Sequence, residues 1–134
     1  MISVETMKYR ARLMRGTEFP LVSWRGTGRI VGSDDAAVDV TVRGVRVRLT
    51  WERLRTTWQR FLANHTLTVD ELGGGPDAVA IVSLFAFFQG EDVEVVDAAG
   101  LLVLKDAQGR PVHQYVDISR PLTRAVWERL PDRD

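Results

Sequence analysis

From Ala78 to Gln89 the chain carries Ile81, Val82, Leu84, Phe85, Phe87 and Phe88, with Ser83 as the only polar residue inside the run. Wound as a helix, this stretch is apolar on every side, so nearly every side must be covered. Two arrangements satisfy that demand. Either the helix is the central post of a domain, or part of it lies in an interface with another chain. Asp77 is placed to cap it and Gly90 to stop it.

The residues before it predict two further helical pieces. Trp51, Leu54, Trp58, Phe61 and Leu62 recur at spacings of three and four, which gives one apolar stripe. Thr50 is the expected cap, and Glu52 sits in the first turn, where the helix dipole favours a carboxylate. Asn64-His65-Thr66 breaks that helix. Thr68-Val69-Asp70-Glu71 then forms a capping box, in which hydroxyl and carboxylate reach each other's backbone amides. The helix it opens must be short, because Gly73-Gly74-Gly75-Pro76 ends it.

Residues 1–49 read as basic and β-rich. Met7, Tyr9, Ala11 and Leu13 alternate with Lys8, Arg10 and Arg12, the period of a half-buried strand with a basic outer face. Phe19 to Trp24 is a second apolar segment, broken by Pro20. The glycines of Gly26-Thr27-Gly28-Arg29-Ile30-Val31-Gly32 are one residue too widely spaced for a dinucleotide loop. Ser33-Asp34-Asp35 also follows where a helix would have to open, so a turn between strands is expected. Val38, Val40 and Val42, then Val45, Val47 and Leu49, alternate with polar residues around Arg43-Gly44, the pattern of a hairpin. Its register places Val42 opposite Val45, Val40 opposite Val47 and Val38 opposite Leu49. Asp39 then faces Arg48 as an exposed cross-strand pair.

Beyond Gly90, Val93–Val96, Leu101–Leu104 and Val112–Val116 are separated by Asp97-Ala98-Ala99-Gly100 and Asp106-Ala107-Gln108-Gly109. Both four-residue stretches begin with Asp and end with Gly, the preference of type I turns, so an antiparallel meander is expected. Ser119 and Pro121 open a last short helix that can dock Leu122, Val126, Trp127 and Leu130, and Pro131 ends it. The expected fold is therefore α+β in a single domain over residues 1–134. N-terminal antiparallel strands with a hairpin (1–49) lead into a three-helix block (50–90), then a C-terminal β-meander with a short terminal helix (91–134).

The order helix, short capped helix, helix, β-hairpin over residues 50–105 resembles a winged helix-turn-helix. The matching residues are Leu67-Thr68-Val69-Asp70-Glu71-Leu72, the helix from Asp77, and the hairpin through Asp97-Ala98-Ala99-Gly100. The resemblance implies a DNA-reading third helix and a phosphate-touching wing. The third helix here has no Arg, Lys, Asn or internal Gln, and the hairpin carries Glu91, Asp92, Glu94 and Asp97, which phosphates repel. The strand-rich segment leading into this block is also similar to accessory domains of prokaryotic DNA-restriction and defence proteins.

Net charge is zero only by cancellation. Residues 1–60 hold twelve Lys and Arg against six Asp and Glu, and residues 61–134 hold the reverse. Such polarity suits head-to-tail or heteromeric contact, or a polyanion on the first half. Cys is absent, which excludes disulfides, thiolate catalysis and Cys-based zinc sites. No apolar run approaches the roughly 20 residues of a bilayer span, and Met1-Ile2-Ser3-Val4-Glu5 lacks the pattern of an export signal. A cytoplasmic protein is expected. Lys8 and Lys105 are the only lysines, a bias associated with GC-rich bacterial genomes.

Catalysis is not expected. His65 and His113 have no pattern tying them together, no carboxylate is singled out as a third metal ligand, and no Glu-x-Lys follows Pro76-Asp77. Ser23 and Ser83 lack a nucleophile elbow. No metal or cofactor is expected either. The expected function is a non-catalytic interaction module, an accessory, regulatory or immunity-like subunit that docks a protein partner or a second copy of itself. Trp58, Phe85 and Phe88 are its candidate interface residues. The alternative is a nucleic-acid-binding module using Lys8, Arg10, Arg12, Arg43, Arg46 and Arg48 on an Arg-rich sheet, with Arg53, Arg55 and Arg60 beside it.

Overall fold

A computed structural model describes residues 1–106 and 108–111, and shows an α+β protein. Helix α1 (Val4–Leu13) is followed by strands β1 (Glu18–Pro20), β2 (Thr27–Ser33), β3 (Ala37–Val42) and β4 (Val45–Thr50). These four strands form one antiparallel sheet in sequence order. Helix α2 (Trp51–Asn64), strand β5 (Thr66–Thr68), a 3-10 turn at Asp70–Leu72 and helix α3 (Pro76–Gln89) come next. Strands β6 (Val93–Val96) and β7 (Leu101–Leu104) then complete a second sheet in the order β5-β7-β6. Among the described residues, no helix is long and apolar enough to cross a membrane.

Helix α3 is the post between the two sheets, packing against β1, β3 and β4 of the first and β6 and β7 of the second. Every residue from Ala78 to Phe85 is buried. Burying a Val, Leu, Ile or Phe side chain contributes about 1.5–3 kcal/mol, so this helix contributes heavily to core stability. Its one internal polar group is satisfied, since Ser83 Oγ accepts the backbone N–H of Val22 at 2.8 Å. Trp58 joins the post edge-on against Phe85, with ring centroids 5.0 Å apart. Gly75, not Asp77, is the N-cap; Pro76 fills the first turn, and Asp77 instead pairs with Arg53 at 3.1 Å.

The hairpin of β3 and β4 has Val42 opposite Val45, Val40 opposite Val47 and Asp39 opposite Arg48. Arg43 and Gly44 both take positive φ, as a primed two-residue turn requires. Val45 nonetheless stays exposed at the turn end, and Leu62 is exposed on the rim of the α2 stripe. The Thr50 side chain caps α2 by accepting from the Arg53 N–H. Thr68 and Glu71 make both bonds of the capping box, but the box opens only a single 3-10 turn. The middle element of the three-helix block is therefore not an α-helix: Gly73 and Gly74, both at positive φ, end it at once.

Three segments depart from the sequence expectation. Met7–Leu13 is helix, not strand. Ser3 caps α1 through Oγ, and the buried residues Val4, Met7 and Ala11 follow helical spacing, while Tyr9 and Leu13 point to solvent. The alternation of seven residues was outweighed by a cap and a stripe that began three residues earlier. Gly26–Gly32 is largely the strand β2, not a turn. Gly28 is needed there because Phe19 lies against it: a Cβ would sit 2.4 Å from the ring Cζ. Thr66–Thr68 pairs with β7 as a short strand instead of serving only as a helix break. The strand expected at Val112–Val116 and the terminal helix from Ser119 lie outside the described residues.

Candidate functional site

The basic residues of the first half divide into two groups by what they touch. Arg12 pairs with Asp35, and Arg55 with Glu5. Arg29 meets its cross-strand partner Glu18 at 2.7 Å, Arg53 meets Asp77 at 3.1 Å, and Arg60 meets Glu71 at 2.8 Å. Arg48 bridges Asp34 at 3.0 Å and Asp39 at 3.1 Å. These pairs are largely exposed and screened by solvent, so each adds little to stability. They do decide which cations keep charge to spare.

Within residues 1–50 all five carboxylates, Glu5, Glu18, Asp34, Asp35 and Asp39, take part in ion pairs. Lys8, Arg10, Arg15, Arg25, Arg43 and Arg46 form no ion pair with a carboxylate among the described residues, although the Lys8 charge also acts on Glu5. Arg43 lies over the Trp24 ring, 5.7 Å from its centroid, a contact that leaves its charge uncancelled. The positive surplus of the N-terminal half is thus concentrated in six side chains instead of being cancelled internally.

Asp34 shows how firmly the acidic side is held. Its carboxyl pKa falls to about 2, first because Arg48 donates to it and next because it accepts the backbone N–H groups of Ala36 and Ala37. The Arg48 pKa is raised in return by Asp34 and Asp39. Glu5 is lowered by the hydrogen bond and charge of Arg55.

A polar cleft of about 360 Å³ opens between the C-terminal end of α1 and the outer edge of the first sheet. Arg12 and Arg15 line it from the helix side, Gly32, Ser33 and Asp39 from the strands, and Arg46 from β4. A β-bulge shapes it. Ile30 pairs with Val40 but Gly32 pairs with Asp39, so Val31 is the extra residue. Ser33 Oγ is the one buried side-chain polar atom among the described residues that has no hydrogen-bond partner. An unsatisfied buried hydroxyl costs about 1–3 kcal/mol, and such orphans call for an explanation.

The structure therefore brings Arg12 and Arg46 to one cleft, by a helix lying at the sheet and not by neighbouring strands. Arg48 is next to the cleft but committed to Asp34 and Asp39. Lys8 lies on the same helix, beside Tyr9 and Arg12. Arg53, Arg55 and Arg60 are tied to carboxylates elsewhere. Arg15 and Ser33 were not among the residues singled out from the sequence. Arg15 lies between the Met7–Leu13 alternation and the Phe19–Trp24 segment, and Ser33 beside an acidic pair, so neither carried a local signal.

The candidate interface residues Trp58, Phe85 and Phe88 are not at the surface. All three are buried in the core, with Phe85 fully enclosed. What α3 leaves half-covered is Ala86 and Phe87, which line an apolar cleft of about 420 Å³ with Pro20, Leu21, Val22 and Val95. Among the described residues no group of three or more His, Cys, Asp or Glu could hold a metal ion. His113 lies outside those residues. Compared with known proteins, the chain matches no family model, no curated protein and no solved structure.

Proposed function

We propose that this chain is a non-catalytic binding module that holds the phosphate backbone of nucleic acid on the face formed by α1 and the β2–β4 strands. One observation carries the reading: every carboxylate of residues 1–50 is occupied by an arginine, while Lys8, Arg10, Arg15, Arg25, Arg43 and Arg46 keep unspent charge. A phosphate backbone is the polyanion such a face attracts without any base-reading helix. The order α2, capped 3-10 turn, α3, β6–β7 hairpin supports a winged-helix-like scaffold beneath it, with β5 added to the hairpin sheet. In that scaffold α3 serves as core, because its residues are buried from Ala78 to Phe85.

The test is fluorescence anisotropy with labelled duplex and single-stranded oligonucleotides at two salt concentrations. Binding is expected at low salt and should weaken steeply as salt rises. Arg10→Glu combined with Arg46→Glu should abolish it, since neither side chain is needed for an internal ion pair. Absence of binding at low salt rules the reading out.

A second reading, docking of a protein partner, is favoured by the apolar cleft at Phe87 and Val95. Asp97 stands on its rim. A partner presenting apolar side chains flanked by Lys or Arg is the chemistry that fits. Sedimentation of Phe87→Asp against the parent protein, each with and without such a peptide, tests it.

A further inference from the structure

We infer that the cleft between α1 and the bulged edge of the first sheet is a seat for a single phosphodiester group of the bound strand. Arg15 and Arg46 are its charged ligands, and Ser33 is a hydroxyl donor. This assignment rests on the nucleic-acid reading above and sharpens it from a charged face to one anchoring point. Four features of the cleft support it.

The first is charge. Arg15 and Arg46 line the cleft from opposite walls and have no carboxylate partner among the described residues. Guanidinium groups suit phosphate because they are planar, permanently charged and offer paired N–H donors. The acidic groups at the cleft are already engaged, with Asp34 and Asp39 held by Arg48 and Asp35 by Arg12. Counting these with Arg12, Arg15, Arg46 and Arg48 leaves one net positive charge, which matches one phosphodiester.

The second is the hydroxyl. Ser33 lines the cleft, and its Oγ has no partner. The hydroxyl is enclosed on the Val38 side of β2, and turning it toward the cleft gives it a phosphate oxygen, an acceptor of the kind it lacks. The third is the bulge at Val31, which interrupts the pairing beside Gly32 and Ser33, a device common at binding sites. The fourth is room: a Cβ built on Gly32 meets no atom within 4 Å, so the cleft is open over the strand backbone at that point.

That open space supplies a test that electrostatics alone cannot mimic. Gly32→Leu places a side chain in the cleft without changing any charge. Oligonucleotide affinity is measured by anisotropy across a salt series for the parent protein, Gly32→Leu, Arg15→Ala, Arg46→Ala and Ser33→Ala. Lys105→Ala, just past the end of β7, serves as the reference. Thermal unfolding of each variant checks that the fold is kept.

Arg15→Ala and Arg46→Ala should each reduce the slope of log affinity against log salt by up to about 1, the signature of one lost phosphate contact shared between two ligands. Gly32→Leu should weaken binding roughly tenfold, about the loss of one good polar contact. Ser33→Ala should weaken it severalfold, and Lys105→Ala should leave it unchanged. Failure of the parent protein to bind any oligonucleotide overturns the nucleic-acid reading and this seat together. Binding that loses slope with the arginines but ignores a folded Gly32→Leu and Ser33→Ala leaves a basic face and overturns the seat alone. If Gly32→Leu fails to fold, competition by millimolar pyrophosphate decides: protection of the Arg46 side-chain resonances supports the seat, and its absence overturns it.

Discussion

Ser83 and Val22 are 61 positions apart, yet the Ser83 hydroxyl accepts the Val22 amide at 2.8 Å inside the core. The bond lets the chain between β1 and β2 bury Leu21 and Val22 against α3 without stranding a backbone donor. Ser83→Ala leaves that N–H enclosed and unpaired, at an expected loss of about 1–3 kcal/mol. Urea unfolding should show a lower midpoint with an unchanged slope. An unshifted midpoint would mean that Val22 finds another acceptor at no cost.

Gly28 predicts a steric effect of similar size. A methyl group there would lie 2.6 Å or less from two carbons of the Phe19 ring and 2.9 Å from the carbonyl oxygen of Thr41. The ring can turn, but the strand carbonyl cannot move without breaking the β2–β3 ladder. Gly28→Ala should therefore destabilise by about 1–3 kcal/mol. Adding Phe19→Leu should recover part of that loss in a double-mutant cycle, since the ring accounts for part of the clash. Strictly additive single losses would remove the Phe19 contact as the cause.

These two contacts also mark where sequence reasoning succeeded and where it stopped. The all-apolar run around Ser83 requires a buried helix, and α3 is the post between the sheets. Period-two alternation from Val38 to Leu49 is long, and its turn residues are unambiguous, so its pairing was legible. The shorter alternation from Met7 to Leu13 misled, because Tyr9 and Leu13 are apolar yet exposed and the buried set begins at Val4. β2 was hidden by its glycines, one of which, Gly28, has the Phe19 ring in the place of a side chain. The cleft was less legible still. Arg12 and Arg46 meet there through tertiary packing, and which arginines remain unpaired depends on the placement of Asp34, Asp35 and Asp39. No spacing rule encodes that.

Asp34 makes stability depend on acidity. Its carboxyl pKa is lowered to about 2 in the fold, against roughly 3.9 in an unfolded chain. The folded state therefore favours the ionised form. Its contribution is fully present above about pH 4 and is lost as pH falls through the range from about 4 to 2. Asp34→Asn removes this carboxylate, so the gap in urea midpoint between the parent and the variant should be widest near neutral pH and shrink on acidification across that window. Because Asp34 and Arg48 are exposed, added salt should also narrow the gap. A gap that stays constant from pH 5 to pH 2 would overturn the assignment of the effect to the ionised carboxylate.

Gln89, the last residue of α3, connects the core to the candidate site. Its side-chain amide accepts the Ile2 N–H at 2.9 Å and donates to the Ile2 carbonyl at 2.8 Å, tying the segment before α1 to the end of the post. Gln89→Glu keeps the acceptor but sets a carboxylate oxygen against the Ile2 carbonyl, so the tie should break with little change of volume. The first turn of α1 should then open more often. The amide of Met7, which donates to the Ser3 carbonyl at 3.0 Å, is expected to exchange faster while amides of α3 keep their protection. Because Arg12 and Arg15 ride on α1 and on the residues that follow it, oligonucleotide affinity should fall severalfold although no basic residue has changed. Faster exchange at Met7 with unaltered affinity would show that the cleft is positioned by the sheet alone. Unaltered exchange would show that Ser3 and the buried face of α1 hold the helix without Gln89.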